Sequence, residues 1–366
     1  MMRKAVSAMV SGVCMGALWL GQAPALAQPA APAEGLGKAP SCTPPPAPPR
    51  TAGAAPAGGA PPAPPPRPKL PITAIPGVIA GDVNWTKVWQ QAGNSSDGLI
   101  PDKDGNVLMA QEDYDTVLRL HPDGTSDVAV AGAKGIGSVS VDRQGRLYGA
   151  HRTERMGSTK PDKDQIMNAI RVLTPKQQVI GQAWAGNAVA ERPNDVIADN
   201  HGGAWFTAVC LYYASPKGVT TVADNLNTNG INLSPDGKTL YVTNGPTIVA
   251  FDVKGPGKLA NRRDFATLQA GGAGDGMAVD SAGRLYVSSG PGVQVFDKTG
   301  QYLGLIPSPR GVISITIAGP DRKTLYMAGS GAEDDKGQPI RVGPQNTAAT
   351  VYSIPLLATG LKDHAK

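Results

Sequence analysis

Short runs of alternating apolar and polar residues recur along most of this chain. Each enters a tight turn and leaves as a second alternating run. The first runs read DGLIPD, SVSVD, NDVIAD, GINLSP, GMAVD and SITIAG; the second read VLMA, RLYGA, AWFT, TLYVT, RLYVS and TLYMA. The turn residues are Gly105, Gly145, Gly202, Gly237, Gly283 and, in the last copy, Arg322. A period of two predicts half-buried strands, and Asp-Gly or Pro-Asp-Gly predicts hairpin turns. Third strands follow in several copies, as at 116–124, 247–255 and 293–300. No comparable helical period exists outside the first 27 residues.

The turns are spaced by 40, 57, 35, 46 and 39 residues. Periods near this length, with three or four strands each, predict an all-β, six-bladed β-propeller. A generic β-sandwich is the alternative that the evenness of the copies disfavours. The spare strand TKVWQQAG (86–93) and the final strand TAATVYSIPL (347–356) are placed to pair, closing the ring and removing two open edges.

Counting back eight residues from each turn gives Asp97, Gly137, Asn194, Asn229, Asp275 and Ser314. In a propeller these positions surround one mouth of the central channel. Carboxylate and amide oxygens without Cys or His suit a hard cation, and calcium tolerates such a set better than zinc. Asp97-Gly98, Asn229-Gly230 and Asp275-Gly276 are also ordinary turn dipeptides; their shared offset favours ligation.

Composition divides the chain into 1–27, 28–76 and 77–366. Arg3 and Lys4, an apolar run from Ala5 to Leu20 and Ala25-Leu26-Ala27 form the pattern of a signal peptide cut after Ala27. The run is short for a membrane span of about 20 residues; an uncleaved anchor is the alternative. Periplasmic or secreted localisation follows, with no membrane span in the mature chain. Residues 28–76 are rich in Pro, Ala and Gly and predict a disordered, extended spacer. The net charge of +5 lies entirely before residue 73. The propeller part is formally neutral, which argues against a nucleic-acid partner.

The mature chain keeps Cys42 and Cys210. Their pairing would fasten the spacer to the domain; free thiols or separate partners are equally compatible. The four histidines are scattered and form no triad. His151 and Arg152 end a strand near the mouth and are assigned to a surface loop, with substrate contact as the alternative. Gly135-Ile136-Gly137 lacks the helix that a dinucleotide loop needs.

The segments ERPNDVIADNHGGAWFT, TNGINLSPDGKTLYVTN and GDGMAVDSAGRLYVSSGPGVQVFDKTGQYLGLI resemble the gluconolactonase/regucalcin (senescence marker protein) family of six-bladed propellers. The resemblance spans about 90–330 and is weakest in the first blade. It implies one divalent cation, usually calcium, in the channel, and hydrolysis of a small-molecule lactone. By motif, Asn229 and Asp275 match metal ligands, joined here by Asp97 and Asn194. Arg192, Asn194 and Asp195 match positions that touch metal or substrate. Asp275, or else Asp195, would act as catalytic base on a water attacking a metal-polarised carbonyl.

Three departures stand out. Asp97 replaces the family's Glu. Ala208 replaces an Asp after Phe-Thr, with the loop behind it shortened. The polar loop 151–165 is an addition that would cover the mouth. A non-catalytic binding propeller and a strictosidine-synthase-like esterase are the competing functions.

Overall fold

In the computed structural model, residues 42–46, 71–93, 96–152, 168–182, 192–340 and 348–362 are described. The repeated turn explains why the copies look alike. Asp142 Oδ1 accepts the amides of Gln144 and Arg146 at 3.0 and 2.9 Å, and its Oδ2 accepts Arg146 Nε at 2.6 Å and the Tyr148 hydroxyl at 3.2 Å. Asp280 repeats this with Ala282, Arg284 and Tyr286. Asp199 caps the turn at His201 and Gly203, and Tyr213 donates to its other oxygen at 2.5 Å. Each carboxylate satisfies amides that the turn would otherwise leave bare. Gly145 and Gly283 supply the left-handed backbone these turns need, at φ 78° and 81°.

Each turn joins the first two strands of a four-stranded antiparallel sheet, and the described residues form six such sheets. Blades 1 to 5 run in chain order, with first strands Ser96–Pro101, Ile136–Val141, Val196–Ala198, Ile231–Leu233 and Met277–Val279. Blade 6 begins with Val312–Ala318 and takes its outermost strand, Thr86–Ala92, from the start of the domain. That strand pairs with Ala348–Pro355 in the register Thr86↔Ser353 to Ala92↔Ala348, so the predicted closure is present.

Apolar side chains pack between neighbouring blades. In blade 3, Val196, Ala198, Phe206 and Tyr212 face blade 2, whereas Ile197, Trp205, Leu211 and Tyr213 face blade 4. Period-two alternation therefore sorts side chains between two cores, not between core and water. This corrects the half-buried expectation: Leu285–Ser289 is buried at every position. Hydrogen bonds lace the first strands around the axis. Leu99 N donates to Ser314 Oγ at 3.0 Å, Ala198 N to Ser140 Oγ at 3.0 Å, and Gly276 N to the Ile313 carbonyl at 3.2 Å.

The expected signal peptide, 1–27, lies outside the described residues, as does most of the spacer. Two stretches assigned by composition to the spacer are packed. Ile72 and Ile75, with Val78 and Ile79, join the core between blades 5 and 6. Cys42 forms a disulfide with Cys210, and the Thr43 carbonyl accepts the Asn225 amide at 2.8 Å. The open question of cysteine pairing is thus resolved at the shortened hairpin Thr207–Leu211. No helix among the described residues is long and apolar enough to cross a membrane.

Candidate active site

The eight-residue offset brings its polar residues together. Asn194 Nδ2 donates to Asn229 Oδ1 at 2.6 Å. Asn229 in turn hydrogen-bonds the Asp275 carboxylate, and Asp275 also feels Asp97. The loops are held by their own blades: Asn194 N donates to the Thr207 carbonyl at 2.7 Å, Asn229 N to Thr207's counterpart Thr243 Oγ1 at 3.1 Å, and Asp275 N to the Ser288 carbonyl at 3.0 Å. Gly230 lets two blades approach, since a Cβ there would lie 2.0 Å from the Asp275 carbonyl oxygen.

A residue assigned to the surface completes the group. Arg152 is 4 % exposed and His151 is 3 % exposed; neither is a surface residue. Arg152 Nη2 donates to the Asn194 carbonyl at 2.6 Å and to Asn194 Oδ1 at 3.0 Å, and pairs with Asp97 Oδ2 at 3.4 Å. Its Nε donates to the Pro193 carbonyl at 2.8 Å, and its Nη1 pairs with Glu112 at 2.8 Å. The guanidinium fills the place that Gly137 leaves in the ring. A Cβ at Gly137 would sit 2.1 Å from Arg152 Cζ. Glu112, in a short 3-10 turn after the second strand of blade 1, also pairs with Arg192. The sequence pattern assigns Arg152 to a surface loop, with substrate contact as the alternative, and gives no sign of Glu112. The available signal was the single side-chain-free position in the ring.

Electrostatics follow from this crowding. Burial, and then the neighbouring Asp97, push the Asp275 carboxyl well above the usual range, while Arg152, the Gly276 amide and Asn229 pull the other way. Burial works against the Arg152 charge, yet Glu112 and Asp97 outweigh it and hold Arg152 protonated more firmly than usual. Burial and then Arg152 lower Arg192. Asp97, Glu112 and Asp275 against Arg152 and Arg192 leave one formal negative charge.

The donor set fits a hard cation in chemistry: two carboxylates and two amides, all oxygen, around an excess negative charge. Among the described residues no three His, Cys, Asp or Glu side chains cluster as a metal site. An ion here would therefore depend on Asn194 and Asn229. Both amide oxygens already accept hydrogen bonds, from Arg152 and from Asn194 itself.

The remaining candidates differ in kind. Asp195 is buried, and both oxygens are engaged: Ser138 Oγ donates to Oδ1 at 2.5 Å, and Ile231 N to Oδ2 at 3.2 Å. It ties blade 3 to blades 2 and 4. Ser314 accepts from Leu99 and ties blade 6 to blade 1. Arg192 retains 22 % side-chain exposure, more than Arg152 or Glu112, with which it forms one charged cluster. The expected cover, 151–165, lies outside the described residues except for His151 and Arg152.

The family described as SMP-30/Gluconolactonase/LRE-like region matches residues 135–331, over half of the chain. A gluconolactonase from Zymomonas mobilis is 25% identical over 291 residues, covering 69% of this chain and 78% of that protein. Regucalcin from Xenopus laevis is 27% identical, covering 65% of this chain and 85% of its own. Among solved structures, a gluconolactonase from Xanthomonas campestris superposes with a TM-score of 0.60 at 27% identity, covering 82% of this chain and 99% of that one.

Proposed function

Because the chain belongs to the SMP-30/gluconolactonase/LRE-like family, we propose that it hydrolyses a small lactone at the ring formed by Asp97, Asn194, Asn229 and Asp275. One observation carries the reading: four polar side chains from four blades form one hydrogen-bonded and charge-coupled group at one end of the axis. Asp275 is the general base. It takes the proton of a water as that water attacks the lactone carbonyl carbon, and returns it to the ring oxygen when the C–O bond breaks. The product is a hydroxy acid. Asp195 is the weaker candidate, because its oxygens are committed to neighbouring blades. Arg192, paired with Glu112 at the mouth, orients substrate hydroxyls or a carboxylate.

A divalent cation, calcium favoured by the all-oxygen set, would be held by Asp97, Asn194, Asn229 and Asp275, and would polarise the carbonyl. Export with cleavage after Ala27, to the periplasm or beyond, belongs to the same reading. The Cys42–Cys210 disulfide supports an oxidising compartment.

A panel of aldonolactones, acyl homoserine lactones and aryl esters, each with calcium or with chelator, tests the reading. Hydrolysis of an aldonolactone above that of aryl esters is the expected result. Preference for aryl esters points to the esterase alternative. No turnover with any member favours the binding propeller, a reading supported by the partners that the ring amides already have within the protein.

A further inference from the structure

The last repeat breaks its own rule at the turn. Five copies place glycine there, with φ between 71° and 102°, and the sixth places Arg322 at φ 58°. A side chain in this left-handed region is disfavoured, and such residues persist where the surroundings use them. Arg322 is 5 % exposed. Its Nη2 donates to the Asp102 carbonyl at 2.5 Å, across the junction of blades 6 and 1. Its Nη1 is buried and has no partner among the described residues.

Arg322 lines a cavity of about 910 Å³ between the turns of blades 1, 2 and 6, at the opposite end of the axis from the ring. Lys103, Arg119, Arg143 and Lys362 line it too, against two carboxylates, Asp102 and Asp142. Those carboxylates are already used. Asp142 caps its turn and pairs with Arg146 at 2.6 Å. Asp102 Oδ1 accepts the amides of Asp104 and Asn106, and its Oδ2 faces Asn106 and Arg119. Lys103 is matched by Asp104 at 2.8 Å. The Arg143 and Lys362 side chains have no ion pair among the described residues, which leaves the cavity with uncompensated positive charge. Burial lowers Arg322, as expected for a cation short of partners. The volume suits a sugar-sized solute, far larger than a lone inorganic ion.

We propose that this cavity binds a small anionic polyol, a sugar acid or sugar phosphate, whose carboxylate or phosphate is held by Arg322, with Arg143 and Lys362 at the rim. The site is independent of the lactone reading: it lies at the other end of the channel and shares no residue with the ring. Arg322 is a strained buried cation at rest, and the anion supplies the partner it lacks.

The test is thermal melting and titration calorimetry with gluconate, with glucose 6-phosphate and with neutral glucose, at matched ionic strength. The variant Arg322→Gly installs the residue that the other five turns use, so folding is retained. The wild type melts higher with either anion and not with glucose, and the stronger arm identifies the head group. Arg322→Gly melts no lower than wild type without anion, loses the anion response, binds at least about tenfold more weakly, and hydrolyses lactones as before. An anion response preserved in Arg322→Gly overturns the proposal. So does a wild type that binds neither anion at about 10 mM, where a useful site would show stabilisation.

Discussion

The two ends of the propeller use the same residue type for opposite purposes. At the turn end, Asp142, Asp199 and Asp280 recur in register, and local amides, an arginine or a tyrosine account for their oxygens. At the ring end, the shared offset carries four residue types in six blades, and the side chains reach across blades as well as to the next amide of their own loop. Asp275 and Asp280 lie five residues apart and show the contrast. Asp280 is 0 % exposed with a full set of donors, whereas burial and Asp97 leave Asp275 short of positive charge. A carboxylate explained by its own turn is structural. Asp195, matched by Ser138 and Ile231 from neighbouring blades, is structural too; a carboxylate short of donors and crowded by another, as Asp275 is by Asp97, is available for chemistry.

The largest expected effect separates these two carboxylates. Asp275→Asn lowers lactone turnover by about 10²–10⁴-fold with no loss of melting temperature, because it removes a repulsion with Asp97. A variant that turns over lactone at the parental rate breaks the contrast at its centre. His151 gives the next effect, in stability. Burial and then Arg171 lower its pKa to about 4, from an ordinary value of 6.5. The neutral form is therefore favoured in the folded state. Its contribution is complete above pH 6.5 and is lost as pH falls towards 4, up to roughly 3 kcal/mol. Denaturant unfolding across that window is flatter by this amount in His151→Gln; an unchanged pH slope contradicts the burial of the ring.

Asp280→Asn places an amide nitrogen towards Arg284 and Tyr286, and costs roughly 2 kcal/mol in unfolding free energy. Turnover per folded molecule stays at the parental level, the mirror image of Asp275→Asn. Equal losses of turnover in both variants would erase the distinction between the ends. The smallest effect concerns the proposed cation. Arg152→Gln removes a positive charge beside Asp97 and Asn194, and tightens calcium binding by about tenfold, roughly 1.4 kcal/mol by calorimetry. Unchanged or weaker calcium binding assigns Arg152 to holding the ligands in place.

Much of the architecture was legible because it repeats. Six turns fixed the blades, and two leftover strands predicted the closure that Thr86–Ala92 and Ala348–Pro355 make. The ring positions were also legible, since one offset found Asp97, Asn194, Asn229 and Asp275. What escaped detection does not repeat. Arg152 lies fifteen residues beyond the position it fills, and its sign in the sequence is the missing side chain of Gly137. Glu112 belongs to blade 1 yet pairs with Arg152 from blade 2 and with Arg192 ahead of blade 3. Pairings of this kind depend on the curvature of the closed ring, and no local pattern encodes it. Ile72 and Ile75 were hidden by their proline-rich surroundings, although they pack as core. Asp195 looked reactive beside Asn194 and proved to be a tie between blades.

The most direct test of the central claim is a crystal structure of the protein grown with calcium and an aldonate, the product class of lactone hydrolysis. The expected result is a bound ion with oxygen contacts of about 2.3–2.6 Å to Asp97, Asn194, Asn229 and Asp275, and the aldonate carboxylate beside it near Arg192. A ring that holds neither ion nor aldonate, with Arg152 still seated between Asp97 and Asn194, would contradict it.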